Sequence, residues 1–314
     1  MNEIIISEPK AVTRAAAIEP ELMQKWLDFI GPDVAPKTKE SYTRSIKQFA
    51  QYLAELGEDH PTRDTIQSFK AYLKETHKPA TVNAYIIAVR LFFRYLAQVG
   101  AYPNIADNLK GEKIDREHKR DYLTADQCRG MLAEIDRSTE QGARDFAIIA
   151  TMTTCGLRTV EVQRAQIKDF RTYGGNMVLF VQGKGKTEKA DFVKIPSPTE
   201  KAIRDYLKLR GDVDENAPLF GSLGHQNAGE PMTTRSISRI VKEAMREIGF
   251  DDNRHTAHSL RHTAVTLALL GNGGNVQEAQ QFARHADIST TMIYAHNLEK
   301  TSNTCAGIVA NAIF

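Results

Sequence analysis

The segment His258–His262 has the residue types that chemistry at a phosphate ester needs. Its sequence, His-Ser-Leu-Arg-His, places His258 and Arg261 three residues apart, so on a helix both side chains share one face. A neutral histidine exchanges a proton near pH 7, and an arginine keeps its charge and forks onto phosphate or carboxylate oxygens. The same pair also occurs on solvated helix surfaces, so a catalytic interpretation needs support from other residues.

Other segments supply that support, in a fixed order along the chain. They contain an arginine three residues before a glutamate, a lysine between two glycines, and a histidine nine residues before a tyrosine. These residues are Arg158, Glu161, Lys184, His285 and Tyr294. The ordered set resembles the tyrosine recombinase, or phage integrase, family. That family's signature is T-G-L-R-x-x-E, a G-K-G hairpin, H-x-L-R-H, a histidine or tryptophan, and a tyrosine.

The resemblance implies a reaction with a covalent intermediate. A tyrosine hydroxyl attacks a DNA phosphodiester, and the resulting phosphotyrosine can later be reversed. Tyr294 is the expected nucleophile, and Arg158 and Arg261 are expected to stabilise the charge on the phosphoryl oxygens. Lys184 is the expected acid for the leaving 5′ oxygen, and Lys186 on the same turn is an alternative.

Further roles follow from the same resemblance. His258 is the expected base for Tyr294, and His285 is a second donor to the phosphate. Glu161 is expected to hold Arg158 or its neighbours in place, and His262 to buttress the site. The chain departs from the family before His285: L-G-H is common there, and Arg284 stands here at the glycine position. We expect this change to alter the turn.

The composition indicates a cytoplasmic globular protein without a cofactor. No acidic constellation suggests Mg²⁺, so we expect a metal-free reaction. The cysteines form no C-x-x-C pair, which argues against zinc and a disulfide framework. The sequence has neither a long apolar run nor a signal-peptide pattern, so no membrane partner is expected. A net charge of +2 does not by itself indicate nucleic acid.

The hydrophobic pattern predicts a mainly α-helical protein of two domains. Residues 1–15 are a flexible arm, residues 16–109 a helical bundle, and residues 110–121 an exposed, charged linker. Residues 122–314 form a mostly helical domain with a small antiparallel β-sheet. Within it, Thr124 caps the first helix, two strands form a hairpin, and helices follow at about 198–209, 233–248, 257–270, 275–284 and 287–296.

The resemblance makes the first domain a core-binding domain that clamps one side of DNA and the second a catalytic domain. The preferred DNA contacts are side chains of the second and fourth predicted N-terminal helices, and Thr81 is expected to cap the fourth. These side chains are Lys39, Arg44, Lys47, Thr81, Asn83, Arg90 and Arg94. Basic side chains on helices are often there only for solvation. The charge pattern alone therefore leaves this assignment open.

The implied function is site-specific recombination of double-stranded DNA by a tetramer on two duplexes. It fits both Xer-type dimer resolution and integration or excision of a mobile element. The sequence leaves open the target site, a homo-tetramer or hetero-tetramer with a second recombinase, and an accessory protein. Alternatives are a catalytically inactive DNA-binding protein on the same fold, a type IB topoisomerase-like relaxing enzyme and, more distantly, a metal-dependent nuclease.

Overall fold

The computed structural model describes residues 20–114, 121–183, 188–302 and 305–313. The chain divides into two compact units, Met1–Asp115 and Arg116–Phe314, and each has a hydrophobic core of its own. Both units are mainly helical, and the second contains a small antiparallel sheet, which confirms the predicted fold class. The expected arm at 1–15 lies outside the described residues.

In residues 20–114, the N-terminal unit is a bundle of four helices with an aromatic core. The helices are α1 (Pro20–Ile30), α2 (Pro36–Leu56), α3 (Arg63–Thr76) and α4 (Pro79–Gln98). The ring of Trp26 lies 5.6 Å from that of Phe92, and Phe49 lies 5.1 Å from Phe69 and 6.0 Å from Phe93. All five side chains are fully buried. The apolar stripes of these amphipathic helices therefore meet in one core.

The fourth helix begins three residues earlier than the sequence suggests. Lys78 is its N-cap residue and Pro79 occupies the first helical position. Proline is favoured there because it has no N–H group to leave unpaired. The prediction that Thr81 caps this helix is therefore wrong, and Thr81 lies exposed within the first turn.

Within the described residues, α4 is the one helix that is long and apolar enough to cross a membrane by length and composition. Its apolar side chains face the bundle instead. Val82, Val89, Phe92 and Phe93 have no exposed surface. Helix α4 is therefore the central core helix of the N-terminal unit.

The segment after α4 is held on the bundle as far as Glu112. The Asn83 amide donates to the Glu112 carbonyl (2.9 Å), and its oxygen accepts from the Glu112 backbone N–H (2.6 Å). The Glu112 carboxylate lies 2.7 Å from Lys70 Nζ and 3.2 Å from Lys74 Nζ, and hydrogen bonds from both lysines lower its pKa. The first part of the predicted linker is thus fixed, and 115–120 lie outside the described residues.

We expect trypsin to cut the native protein after Lys113 or within 116–120 before it cuts after Lys110. The Lys110 carbonyl accepts a hydrogen bond from Lys70 Nζ at 2.9 Å, and Glu112 is bonded to α3 and α4. Glu112→Ala removes the ion pairs and should raise cleavage after Lys110. Mass spectrometry of the first fragments gives the sites, and first cuts inside the helices of the bundle would contradict this prediction.

The C-terminal unit consists mainly of helices and contains a small sheet. The helices are α5 (Ala125–Ala133), α6 (Glu140–Cys155), α7 (Thr159–Arg164), α8 (Ser197–Arg210), α9 (Thr234–Glu247), α10 (Ala257–Gly271), α11 (Val276–Ala283), α12 (Ile288–Ser302) and α13 (Cys305–Ile313). Thr124 caps α5 as predicted. The five helices predicted from 198 onward are confirmed as α8 to α12, although α12 continues past the predicted end at 296. The central helix α6 packs along α8 and α10.

The sheet has three antiparallel strands in the order β1 (Phe170–Tyr173), β2 (Asn176–Val181) and β3 (Asp191–Lys194). Strands β2 and β3 form the predicted hairpin, with Phe180 opposite Phe192. Strand β1 was not predicted, because its sequence Phe-Arg-Thr-Tyr is short and three of its four side chains are exposed. Pairing with β2, rather than its own pattern, makes it a strand.

The end of the chain leaves apolar side chains on the surface. Helix α13 has no charged residue. Its side chains Ile308, Val309 and Ile313 are 63%, 55% and 70% exposed. Helix α13 therefore exposes an apolar surface, and such surfaces commonly mark a site that binds another protein.

Candidate active site

A glycine turn between α6 and α7 positions Arg158. Gly156 ends α6 with φ 61° and ψ 31°, a conformation that glycine adopts without steric cost. A Cβ atom there would lie 3.3 Å from the Phe282 ring. Arg158 follows as the N-cap residue of α7, and its backbone N–H and guanidinium donate to the Glu161 carboxylate at 2.8 and 3.0 Å. Glu161 thus fixes both the backbone and the side chain of Arg158.

Glu161 is a buried carboxylate that two arginines share. Its side chain is 1% exposed, and its Oε2 atom accepts a hydrogen bond of 2.8 Å from Arg284 Nη2. A buried charge needs a charged partner, and here Arg158 and Arg284 together exceed the charge of the carboxylate. The expected contact between Glu161 and Arg158 is present, and a positive charge remains for an anion.

The first turns of α10 carry His258, Arg261 and His262. His258 is exposed, whereas Arg261 and His262 are 1% and 3% exposed. The Arg261 guanidinium donates to the backbone carbonyls of Gly156 and Ala283. These bonds orient Arg261 and occupy only part of its N–H donors, so donors remain for a phosphate oxygen.

Arg261 lies in a strongly positive environment. Burial lowers its pKa most, and the charges of Arg158 and Arg284 lower it further, to about 9. Arg261 therefore still carries its charge at neutral pH. A bound anion would relieve the repulsion among these guanidiniums, so the cluster is well suited to hold a phosphate.

Arg284 keeps the turn that a glycine would form at this position. It ends α11 with φ 53° and ψ 45°, and its backbone N–H bonds the carbonyls of Gln280 and Gln281. This left-handed conformation costs a non-glycine residue on the order of 1–3 kcal/mol. The altered turn expected from the sequence is therefore not found. Instead, the guanidinium turns inward to Glu161 and its side chain is only 11% exposed.

His285 follows this turn and is uncharged at neutral pH. Its Nδ1 atom lies 2.8 Å from Thr291 Oγ1. Burial lowers its pKa most, and the charges of Arg261, Arg158 and Arg284 contribute, so that the pKa is about 4. A neutral imidazole can donate one hydrogen bond to a phosphate, as expected for His285.

Tyr294 lies in α12 beside two histidines. Its ring centre is 4.6 Å from that of His262 and 6.1 Å from that of His285, and its side chain is 3% exposed. Burial raises its pKa, whereas the charges of Arg261 and Arg158 act in the opposite direction. The hydroxyl is therefore protonated at neutral pH and needs a base to act as a nucleophile.

The fold brings residues from four separate segments into one region. His258 belongs to it because it lies close enough to His285 for a proton on its ring to lower the pKa of His285. The predicted site residues found together are Arg158, Glu161, His258, Arg261, His262, His285 and Tyr294. Lys184 and Lys186 lie outside the described residues. Their catalytic role stays a prediction, as do the roles of the other residues.

Two contacts of the site were missed from the sequence. Arg284 was noticed as a departure from the glycine expected there, but nothing indicated a partner 123 residues away, Glu161. Thr291 binds His285 from the first turn of α12, and threonines near helix starts are common. Only the arginine at a glycine position was a usable signal.

On α2, the predicted DNA contacts are exposed or partly exposed basic side chains. Lys39 lies 3.9 Å from Asp28, and Arg44 lies 3.7 Å from Glu40. Arg44 and Lys47 also line a surface cavity of about 320 Å³ with three tyrosines, Tyr52, Tyr72 and Tyr85. Basic groups beside aromatic rings suit contact with a nucleic acid, so α2 keeps its place as a predicted DNA-contact surface.

On α4, the predicted DNA contacts do not share one face. Thr81 and Arg90 lie on opposite sides, because they are separated by about two and a half helical turns. Asn83 is bonded to the backbone of Glu112 and thus has a structural role that the sequence did not indicate. Arg90 and the exposed Arg94 remain the better candidates on this helix.

Both units match models of known domains. The model described as the phage integrase family matches residues 121–301, which is more than half of the chain, and the phage integrase N-terminal SAM-like domain matches residues 23–100. The tyrosine recombinase XerC of Pelobacter propionicus is 30% identical over 84% of this chain and 86% of its own length. A tyrosine recombinase of Synechococcus elongatus is 25% identical over 98% of this chain and 100% of its own length.

Solved structures share the fold. The XerH site-specific recombinase, bound to a palindromic difH substrate in a post-cleavage complex, has a TM-score of 0.72 at 18% identity, covering 92% of this chain and 90% of its own. The Tn1549 transposon integrase, in complex with transposon right end DNA, has a TM-score of 0.68 at 20% identity, covering 87% and 94%. The chain therefore belongs to the phage integrase family and is a tyrosine recombinase.

Proposed function

We propose that this protein cleaves and rejoins DNA at a specific site through a 3′-phosphotyrosine on Tyr294, as a tetramer on two duplexes. The observation that carries the proposal is the convergence of Arg158, Arg261 and His285 around a buried tyrosine. Relatives solved with DNA, among them a lambda integrase tetramer bound to a Holliday junction, support the substrate and the assembly. We place the protein in the cytoplasm, where DNA is accessible.

The proposed reaction is an exchange of one phosphodiester for another. The Tyr294 oxygen attacks phosphorus, a bond from tyrosine to phosphorus forms, and the bond to the 5′ oxygen breaks. His258 takes the tyrosine proton, and Lys184 or Lys186 protonates the 5′ oxygen. Arg158 and Arg261 stabilise the phosphoryl oxygens in the transition state, and neutral His285 adds a hydrogen bond. Attack by a 5′ hydroxyl of the partner strand reverses these steps.

The two units have separate tasks in this proposal. Residues 16–109 hold one side of the DNA, chiefly through α2 and the basic residues of α4. Residues 122–314 carry the chemistry, with the stretch 110–121 as the connection. The partners are the recombination site, three further recombinase subunits of the same or a second kind, and an accessory protein where the site requires one.

Trapping on nicked DNA tests the proposal. In a substrate with a nick just downstream of the scissile phosphate, cleavage releases a short fragment that carries the 5′ hydroxyl. This fragment diffuses away and cannot reverse the reaction, so the covalent adduct accumulates. We expect an adduct on denaturing gels with the protein on the 3′ end of the broken strand. Sequencing the DNA that is trapped from a genomic library then separates a chromosomal site from the ends of a mobile element. Cleavage that leaves only free DNA ends would contradict a recombinase.

We expect adduct formation to be unchanged by EDTA. In the proposed site, three guanidiniums neutralise the negative charge of the phosphate, a task that a metal ion performs in other enzymes. They belong to Arg158, Arg261 and Arg284. Within the described ranges, no group of three or more His, Cys, Asp or Glu side chains is placed to hold a metal ion. The assay compares adduct yields with EDTA, with Mg²⁺ and with both. A loss in EDTA that Mg²⁺ restores would contradict this mechanism.

We expect deletion of 308–314 to weaken assembly on two-site DNA more than binding to a single site. The deletion removes the exposed apolar side chains of α13, which are proposed to pack on a neighbouring subunit. Gel shift titrations on one-site and two-site DNA measure both effects. The control is Leu209→Ser, which removes an apolar side chain of similar exposure, 48%, from α8. An equal loss of both binding modes would indicate a folding role instead.

A further inference from the structure

We infer that Arg284 is a positioning residue for the phosphate-binding arginines: through Glu161 it holds Arg158 and keeps the site positively charged. The inference rests on the proposed function, because it concerns the same phosphate site. It goes beyond the proposed function because it assigns a role to Arg284, which replaces the glycine expected before His285.

Arg158 and Arg284 share the carboxylate of Glu161. Glu161 lies between two guanidiniums, with Arg158 Nη1 at 3.0 Å from Oε1 and Arg284 Nη2 at 2.8 Å from Oε2. The backbone N–H of Arg158 also donates to Oε2. Arg284 reaches the carboxylate from the end of α11, while Arg158 and Glu161 belong to α7. The contact therefore ties the turn before His285 to the segment that carries Arg158.

Arg284 also sets the balance of charge around Glu161. With Arg158 as its only partner, the buried Glu161 would cancel the charge of Arg158. Arg284 adds a second guanidinium to the same carboxylate, so the three side chains together keep one positive charge. Its charge is also felt at Arg261 and at His285, whose pKa values it helps to lower. An anion in this region gains attraction from it.

The backbone of Arg284 has a conformation that is uncommon for residues other than glycine. In the described part of the chain, only Asn108 and Arg284 have a positive φ without being glycine, both at 53°. A strained backbone persists where the surrounding structure holds it. Arg284 is held by the carbonyl of Phe282, at 3.2 Å from Nη1, and by Glu161. The Nε atom is buried and has no hydrogen-bond partner among the described residues. A direct contact from Nε to the phosphate is thus the competing possibility that the test must separate.

The variants are Arg284→Gly, which suits the left-handed turn, and Arg284→Lys, which keeps the charge. Asn108→Gly is the matched control, because it relieves the same backbone conformation in the other unit. We measure the rate of adduct formation at saturating nicked DNA, the affinity for that DNA, and the melting temperature. Arg284→Gly should slow adduct formation roughly 10- to 100-fold with little change in affinity. Arg284→Lys should recover part of this rate, and Asn108→Gly should match the parent.

The decisive comparison repeats Arg284→Gly in a Glu161→Gln protein. If Arg284 acts through Glu161, by holding Arg158 and by offsetting the carboxylate charge, its substitution should change the rate less than about twofold in that background, because interacting sites are not additive. A full loss in both backgrounds would show a direct phosphate contact and overturn the inference. A parental rate in Arg284→Gly would also overturn the inference. The same holds if the rate falls only as far as a lower melting temperature explains. Absence of any adduct in the parent protein would instead count against the proposed function.

Discussion

Tyr294→Phe is expected to bind its DNA site like the parent protein and to form no covalent adduct. The phenyl ring keeps the contact with His262 in the cluster formed by α10, α11 and α12. Stability should change little, by a lost hydrogen bond of about 1 kcal/mol. The attacking oxygen is removed, and the nearby hydroxyls cannot replace it. Thr291 is fully buried and bonded to His285, and Thr290 is slightly more than one helical turn away.

A second tyrosine in the same unit provides the control for this variant. The Tyr206 hydroxyl is buried and accepts a hydrogen bond of 3.1 Å from the Gly221 backbone N–H. Tyr206→Phe therefore also removes a buried oxygen, at a place with no proposed catalytic role. It should form the adduct at the parental rate wherever the protein is folded. An adduct in Tyr294→Phe would show that the nucleophile lies elsewhere.

Arg158→Ala is expected to slow adduct formation by ~10²–10³ at saturating DNA, the usual effect of losing one transition-state donor. The same range applies to Arg261→Ala. That variant also removes the hydrogen bonds to Gly156 and Ala283, so we expect a lower melting temperature as well. Arg158→Ala therefore separates catalysis from folding more cleanly. Single-turnover rates on nicked DNA, with affinity measured separately, give the effect.

The control for this loss is a surface arginine of the same unit. Arg239 lies on α9 in an exposed pair with Glu243, at 3.8 Å. Arg239→Ala changes the net charge by the same amount as Arg158→Ala, and we expect it to keep the parental rate. Equal losses in both variants would mean that the total positive charge, rather than the placed guanidinium, governs the reaction. A loss of DNA affinity without a change in rate would also contradict the role of Arg158.

Much of the fold follows from local patterns in the sequence. The apolar periodicity around Phe49 and Phe92 predicts helices whose stripes form the core of the N-terminal unit. The β-branched and aromatic residues on either side of the glycine-rich turn at Gly183 predict the hairpin. These predictions succeed because a helix or strand that buries one face shows it in its own residues. The ordered boxes likewise identify the candidate site, because their spacing is specific to the family.

Other features depend on partners that are distant in sequence. Nothing around Asn83 indicates that its amide will bind the backbone of Glu112. Arg284 at a glycine position predicts an altered turn, yet the backbone stays left-handed because the side chain gains a buried carboxylate, Glu161. Strand β1 exists because β2 offers a free edge. Such contacts are decided by tertiary structure, which overrides local preference.

Mapping the covalent bond tests the central claim most directly. The adduct formed on nicked DNA is digested with nuclease and trypsin, and the modified peptide is sequenced by mass spectrometry. The tryptic peptide 285–300 contains Tyr294 as its only tyrosine. The account predicts a nucleotide 3′-phosphate on the oxygen of Tyr294. A phosphate found on any other residue, in this peptide or elsewhere, would contradict it.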